Sequence, residues 1–391
     1  MTMRNINFTK LPANYLFPEI NQRKKQFLQT HPEAQLISLG IGDTSEPIPS
    51  CIADTLSNAA NNLKTVAGYH GYGLEVGQEL LRKHISTQMY REKISSDDIS
   101  ISDGAKCDLG RLQMLFGPNV SIAVPDPAYP VYLDGSLLLG VQNITSLSCT
   151  SENQFWPDWT KVKNVDLIYW CSPNNPTGVT SSKSQLSSIV QFAQETGAIV
   201  IFDAAYAGYI QDKNLPRSIY EIEGAEEVAI EVGSFSKLAG FSGVRLGWTV
   251  VPDKLKYRNG HSVKADWKRL ISTIFNGASY ISQAGGLSVL SSEGMEMIKK
   301  TIQFYLENCA LIKNALVTQG FEVYGGEHAP YLWVKFPGKN SWEAFQDLLE
   351  RLHLVTTPGS GFGRSGEGYL RFSAFGHRET ILQAVERLNR L

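Results

Sequence analysis

The 391-residue chain is short of several things, and each shortage excludes something. Cysteine is scarce and scattered: Cys51, Cys107, Cys149, Cys171 and Cys309 are odd in number and form no C-x-x-C pair. A disulfide framework or a structural zinc site needs closely spaced sets, so neither is expected. No long run of one charge occurs, and 36 Lys and Arg against 38 Asp and Glu leave a formal net charge of −2. That gives no electrostatic footprint for nucleic acid or for an anionic membrane. No uninterrupted apolar run approaches the roughly 18 residues of a membrane span. The opening MTMRNINFTKLPANYLF has no apolar core of a secretory signal. Repeats and low-complexity tracts are absent too. The expectation is a cytoplasmic globular protein whose partners are small molecules.

What is present is an ordinary globular composition: 42% hydrophobic, 19% charged and 10% aromatic. The length suffices for one large domain and a second, smaller one. From about residue 95 to 250, short β-rich runs alternate with helix-like segments. The clearest runs are VSIAVPD, DLIYWCSPN, AIVIFDAAY, VAIEVGSFS and LGWTVVP. Between the second and third, SSKSQLSSIVQFAQETG carries apolar residues at helical spacing, with Gly197 as its stop. Such alternation predicts an α/β fold with a mostly parallel central sheet flanked by helices. The last hundred residues read instead as a smaller α+β domain. The expected division is a large domain over 42–280 and a small domain formed by 1–41 with 281–391.

In parallel sheets, ligands bind at the carboxyl ends of the strands. The polar residues that stand out, such as Asp126, Asn175, Asp203, Tyr206, Ser234 and Lys237, sit where strand-like runs end. Singly they are weak. SPNNPTG (172–178) is also a plausible turn, since Asn, Pro and Gly all favour turns. Asp203 in DAAY could be a helix N-cap. Lys237 in SFSK could be a surface residue. GFGRSG (361–366) matches G-x-G-x-x-G, but YLRFSAF follows it and reads as a strand. The dinucleotide fingerprint needs a helix there, so this is a glycine-rich turn and nicotinamide binding is not expected.

Together the pieces make a different case. A lysine, an aspartate and an asparagine at one sheet edge, with serines and an arginine, suit a phosphorylated aromatic aldehyde. The amine can form an imine, the acid can hold a pyridinium proton, and the asparagine can bond a ring oxygen. Hydroxyls and a guanidinium can hold the phosphate. The order strand–NPTG, strand–DxxY, strand–SxSK, with Arg245 eight residues beyond Lys237, is specific as a set.

On these residues the chain resembles the fold-type I pyridoxal-phosphate aminotransferases of the aspartate aminotransferase superfamily. Within it, the blocks GIGDTSEP, YHGYGLEVG, ISDGAKCDLGR, DPAYPVYLD, CSPNNPTG, DAAYAGYI, SFSKLAGFSGVRLGW, FNGAS and GGEHAPYLWVK are similar to those of the diaminopimelate-specific branch. The resemblance runs from LPANYLF to YLRFSAFG. It implies that Lys237 carries pyridoxal 5′-phosphate and shuttles the proton, and that Asp203 pairs with the pyridine nitrogen. It implies that Asn175 and Tyr206 bond the ring hydroxyl oxygen and that Tyr129 stacks on the ring. The phosphate would be held by Ala105 and Lys106 at a helix start, by Ser234 and Ser236, and by Arg245. The family's dimers share their sites, so Tyr72 and Asn276 would reach the neighbouring subunit's phosphate. Arg371 would take the substrate α-carboxylate in a two-pronged pair. At the distal end of a substrate with a second amino acid group, Tyr15, Gly42, Lys106 and the partner subunit's Glu75 would read ammonium and carboxylate. On its own, Glu75 reads more readily as a solvated helix charge than as a ligand. Ser45 and Ser242 stand where threonine is common in the family, a conservative departure.

The activity so implied is transamination between tetrahydrodipicolinate or LL-2,6-diaminopimelate and glutamate or 2-oxoglutarate. It belongs to lysine and peptidoglycan precursor biosynthesis. An aspartate, alanine or aromatic aminotransferase, or a C–S lyase, would keep the same catalytic core. A non-catalytic pyridoxal-phosphate regulator would add a DNA-binding module, whereas the matching blocks here begin by Leu11.

Overall fold

The computed structural model describes residues 2–11 and 16–391. Within them run thirteen strands: β1 (Ile37–Ser38), β2 (Ile99–Ser102), β3 (Ser121–Asp126), β4 (Asn143–Ser148), β5 (Leu167–Cys171), β6 (Ile199–Asp203), β7 (Ala229–Ser234), β8 (Gly247–Val250), β9 (Val323–Gly325), β10 (Tyr331–Lys335), β11 (Leu354–Val355), β12 (Thr357–Pro358) and β13 (Tyr369–Ser373).

Seven strands form one sheet in the order β2-β8-β7-β6-β5-β3-β4. Neighbours from β4 through β7 pair in parallel, whereas β8 runs antiparallel to both β7 and β2. The mostly parallel sheet expected from the strand–helix alternation is therefore present. Side chains on a strand alternate between faces, and here both faces are dry. Ile199 and Ile201 of β6 enter one hydrophobic core, with Trp267 and Leu112. Val200 and Phe202 enter the other, with Leu186, Ile189 and Phe241. That is why the parallel strands read as continuous apolar runs rather than alternating ones.

The helix Lys183–Thr196 shows how local chemistry sets the crossovers. Ser182 caps it by accepting from Gln185 N, the Gln185 side chain returns a bond to Ser182 N, and Gly197 closes it at φ +69°.

A second, antiparallel sheet has the order β12-β13-β10-β9. The parallel pair β1–β11 ties the N-terminal segment to the C-terminal part. The helix Leu16–Thr30 puts Leu16, Ile20 and Phe27 into the same core as Trp333, Phe345 and Phe372. A 27-residue helix, Ser292–Thr318, spans between the two bodies of structure. No helix of the described residues is long and apolar enough to cross a membrane.

In the large sheet, the chain leaves β3 for β4 on one side and returns for β5 on the other. A crevice opens at such a reversal. Tyr129 follows β3, Asn175 follows β5, Asp203 ends β6, and Ser234 ends β7.

Candidate active site

At that crevice lies a cavity of 270 Å³ whose lining includes Tyr129, Asn175, Asp203, Lys237, Arg245 and Arg371. Gly42, Ala105, Lys106, Tyr206, Ser234 and Ser236 line it as well. These residues lie up to 329 positions apart in sequence, and the strand ends deliver them to one place.

Lys237 sits in the single-turn helix Phe235–Leu238 directly after β7, where the Ser234 side chain accepts from Ser236 N at 3.1 Å. Its amine donates to Gly42 O and lies 3.9 Å from Asp43 Oδ1. Burial pushes the amine down to about 8, Asp43 opposes that shift, and the positive charges of Arg371 and Arg245 reinforce it.

Asp203 is buried and accepts from Tyr132 Oη at 2.7 Å and from Ala205 N at 3.0 Å. Burial raises its carboxyl, and the two donors pull the other way. No cation touches it among the described residues. A carboxylate left so is completed by a ligand nitrogen that bears a proton.

Arg371, on β13, is the most enclosed cation of the site. Its Nη1 donates to Asn175 Oδ1 at 2.7 Å and its Nη2 to Gly40 O at 2.8 Å. The guanidinium lies between two rings, 4.4 Å from the centroid of Tyr331 and 4.9 Å from that of Phe362. Its Nε is buried without an acceptor. A carboxylate is the ligand that satisfies a guanidinium so placed.

The opposite end of the cavity is built for an anion. The helix Ala105–Phe116 begins there, so its first amides have no intrahelical partner. Arg245 holds φ +66°, an uncommon conformation for a side-chain-bearing residue. Its Nη1 bonds Ser242 O at 3.0 Å and reaches Ser236 Oγ at 3.5 Å. Gly104 allows this approach, because a Cβ there would sit 2.3 Å from Arg245 Nη2. Helix start, Ser234, Ser236 and Arg245 together gather donors of the kind that suit a phosphate. An amine brought down to about 8, a buried carboxylate awaiting a protonated nitrogen and these donors fit pyridoxal phosphate.

Three of the expected residues, Tyr72, Glu75 and Asn276, do not line the cavity of their own chain. Tyr72 is 90% exposed, and it neighbours the exposed apolar residues Val66, Tyr69 and Leu74. Tyr15 lies outside the described residues. Tyr206 bonds Tyr331 Oη at 2.8 Å. Tyr132, Tyr331, Asp43 and Phe362 had been given no role. Tyr132 lies three residues after Tyr129 in DPAYPVYLD, and a second tyrosine so near the expected ring-stacking residue is a usable signal. Nothing local marks Tyr331 or Phe362, since their place depends on how β10 and the 359–366 loop fold over Arg371.

Comparison with known proteins gives the class: the chain belongs to the aminotransferases of class I and II, whose family profile matches residues 34–388. These enzymes depend on pyridoxal phosphate. More particularly, the chain is 52% identical to the LL-diaminopimelate aminotransferase of Protochlamydia amoebophila, across 99% of this chain and 97% of that one. It is 53% identical to the chloroplastic LL-diaminopimelate aminotransferase of Arabidopsis thaliana, across 99% of this chain and 87% of that one. Among solved structures, the L,L-diaminopimelate aminotransferase of Chlamydomonas reinhardtii superposes with a TM-score of 0.96 at 52% identity, covering 100% of this chain and 98% of that one. A Thermus thermophilus aspartate aminotransferase double mutant, at 19% identity and TM-score 0.87 over the whole of both chains, shares the fold.

Proposed function

We propose that this aminotransferase interconverts LL-2,6-diaminopimelate and the ring-opened keto form of tetrahydrodipicolinate, with glutamate and 2-oxoglutarate as the other pair. The observation that carries the reading is the meeting of Lys237, Asp203 and Arg371, from three separate elements, around one buried cavity. The relatives named for this substrate, at 52–53% identity over 99% of the chain, supply the specificity.

Pyridoxal phosphate, when bound, supplies the aldehyde that accepts the amino group and the ring that delocalises the electron pair left at the substrate Cα. Everything else falls to the protein. Lys237 would hold that aldehyde at rest, and its amine is the group placed to take the proton from Cα as general base. An amine at about 8 keeps a minor but appreciable neutral fraction near physiological pH, far larger than that of an ordinary lysine at 10.5. Asp203 holds the proton of the ring nitrogen, and Tyr132 fixes the carboxylate that does so. Arg371, oriented by Asn175 and Gly40 O, grips the α-carboxylate with two nitrogens, which aims the Cα hydrogen at Lys237. Asn175, through its Nδ2, and Tyr206 would hold the ring oxygen, and Tyr129 would hold the ring itself. Ala105, Lys106, Ser234, Ser236 and Arg245 hold the phosphate.

A homodimer with shared sites belongs to the same reading. The exposed apolar stretch around Tyr72 supports it, because residues left bare there would be covered by a second copy. Tyr72 and Asn276 then serve the neighbour's phosphate, and the partner subunit's Glu75 reads the distal ammonium beside Gly42, Lys106 and Tyr15. The division into 42–280 and 1–41 with 281–391 is supported by the β1–β11 pairing. Five free cysteines suit a reducing compartment such as the cytoplasm.

The experiment is to load the enzyme with pyridoxal phosphate and add LL-diaminopimelate, meso-diaminopimelate, aspartate or alanine, each with 2-oxoglutarate. Glutamate should form chiefly with the LL isomer. Turnover of aspartate or alanine in preference would overturn the substrate and leave the transaminase chemistry standing.

A further inference from the structure

The GFGRSG motif leads into strand β13 rather than into a helix, and its glycines are tightly constrained. A Cβ on Gly359 would lie 2.2 Å from Gly366 O, and one on Gly366 would lie 2.1 Å from Gly359 O. The loop therefore closes backbone against backbone. Ser341 pins its base, donating to Gly366 O at 3.1 Å and accepting from Ser360 N at 3.2 Å and Gly368 N at 3.1 Å.

The loop's tip closes on one side chain of the large sheet, Asp126 at the end of β3. Asp126 Oδ1 accepts from Ser365 N at 3.0 Å, and Oδ2 accepts from Ser146 Oγ at 3.4 Å. Gly363 holds φ +134°, and a Cβ there would sit 2.1 Å from the same Oδ1. A carboxylate seated against loop amides in this way is an anion nest made within one chain. Two residues on, Ala128 N donates to Phe362 O at 2.8 Å. The short segment 126–129 thus holds the loop at two points and ends in Tyr129, which lines the cavity.

Phe362 gives the clasp a consequence. It is 4% exposed, and its ring centroid lies 4.9 Å from Arg371 Cζ, on the guanidinium that Asn175 and Gly40 orient. Through the loop, Asp126 fixes where that ring stands.

We infer that Asp126 is a positioning residue for substrate carboxylate binding: by gripping the 363–365 backbone it seats Phe362 against Arg371. The inference rests on the proposed role of Arg371. Asp126 touches no reacting atom. Without it the loop keeps its Ser341 base and the Ala128 N bond to Phe362 O, but loses the tip contact that fixes the backbone on the other side of the Phe362 ring. The arginine then spends binding free energy on ordering itself. Affinity for carboxylates falls, and the chemical step, which Lys237 performs, changes little.

The experiment uses the cofactor-loaded enzyme and three variants, Asp126→Ala, Asp126→Asn and Phe362→Leu. Steady-state kinetics are measured, together with calorimetric binding of glutarate, a dicarboxylate with no amine. Visible absorbance of the bound cofactor shows that each variant is loaded. Asp126→Ala should weaken glutarate binding and raise KM roughly tenfold, with kcat changed less than about threefold. Phe362→Leu should do the same. Asp126→Asn keeps an oxygen for Ser365 N and should stay within about twofold of wild type. A residue that merely held the fold would lower cofactor content and kcat together instead. Wild-type glutarate affinity in Asp126→Ala, or equal losses in Asp126→Asn, would overturn the inference. If Asp126→Ala does not fold, unchanged glutarate affinity in Phe362→Leu overturns it. A loaded wild-type enzyme that transaminates no amino acid would overturn the functional reading, and this inference with it.

Discussion

Asn175 holds Arg371: its Oδ1 takes the Nη1 proton at 2.7 Å, and both side chains are buried. One comes from the loop after β5, the other from β13, 196 positions away. The bond joins the sheet that would carry the cofactor to the sheet that would carry the substrate's carboxylate.

Replacing Arg371 with lysine keeps the charge and loses the fork. A lysine ammonium cannot meet Asn175, Gly40 O and both carboxylate oxygens from one planar group. Desolvated charge pairs of this kind are worth about 2–5 kcal/mol. Arg371→Lys should therefore lower kcat/KM for amino acid substrates by roughly 10²- to 10³-fold, while visible absorbance shows the cofactor still bound. Retention of wild-type kcat/KM would remove Arg371 from carboxylate binding.

Tyr132 and Asp203 make the second test. Tyr132→Phe leaves Asp203 with Ala205 N as its remaining donor, at nearly unchanged volume. Losing a donor to the charged form raises the carboxyl further. Its hold on the ring nitrogen's proton then weakens. Turnover should drop about tenfold, a common cost of losing an outer hydrogen-bond partner. The pH titration of the bound cofactor's absorbance should move as well. A variant identical to wild type in both would make the 2.7 Å bond irrelevant to function.

Most of the site was legible because chemistry constrains residue type at strand ends. Lysine, aspartate and asparagine at the ends of apolar runs are costly choices unless a ligand uses them, so Lys237, Asp203 and Asn175 stood out. The sheet was legible for a related reason, since strands dry on both faces leave little but apolar residues to write. Tyr331, Phe362 and Asp126 were not legible in their roles. Each acts through a partner more than a hundred positions away or through the backbone of a loop, and neither leaves a mark in local pattern. The strand expected behind GFGRSG is present as β13, but the motif's grip on Asp126 appears only when the two sheets meet.

Lys237 predicts a pH dependence. In cofactor-free protein, its amine must be neutral to add to the aldehyde, and the neutral fraction rises with pH through about 8. Capture of pyridoxal phosphate should accelerate across that midpoint and level off above it. Among the described residues, Asp43 is the neighbour that raises the amine's pKa. Asp43→Asn should move the midpoint to lower pH, and stopped-flow absorbance at a series of pH values would show it. A midpoint near an unperturbed lysine, or an upward move in Asp43→Asn, would contradict the burial argument.

Within the large sheet, Glu231 of β7 predicts a stability effect. It is 2% exposed and accepts from Tyr90 Oη at 2.8 Å, Ser218 Oγ at 2.6 Å and Ile219 N at 3.0 Å, while Trp248 Nε1 donates to Tyr90 Oη. Burial lifts its carboxyl to about 7. Between the unfolded value of 4.5 and about 7, the folded state keeps a proton that the unfolded state has released. Stability contributed by this group therefore falls as pH rises through that window. Glu231→Ala removes the acceptor from three buried donors and should cost about 3 kcal/mol. It should also abolish the group's share of the pH slope. Urea unfolding of the cofactor-loaded enzyme at pH 5 and pH 8, wild type against variant, measures both. A variant as stable as wild type at pH 5, where the linkage penalty of this group is small, would mean that water replaces the carboxyl at no cost, which its burial forbids.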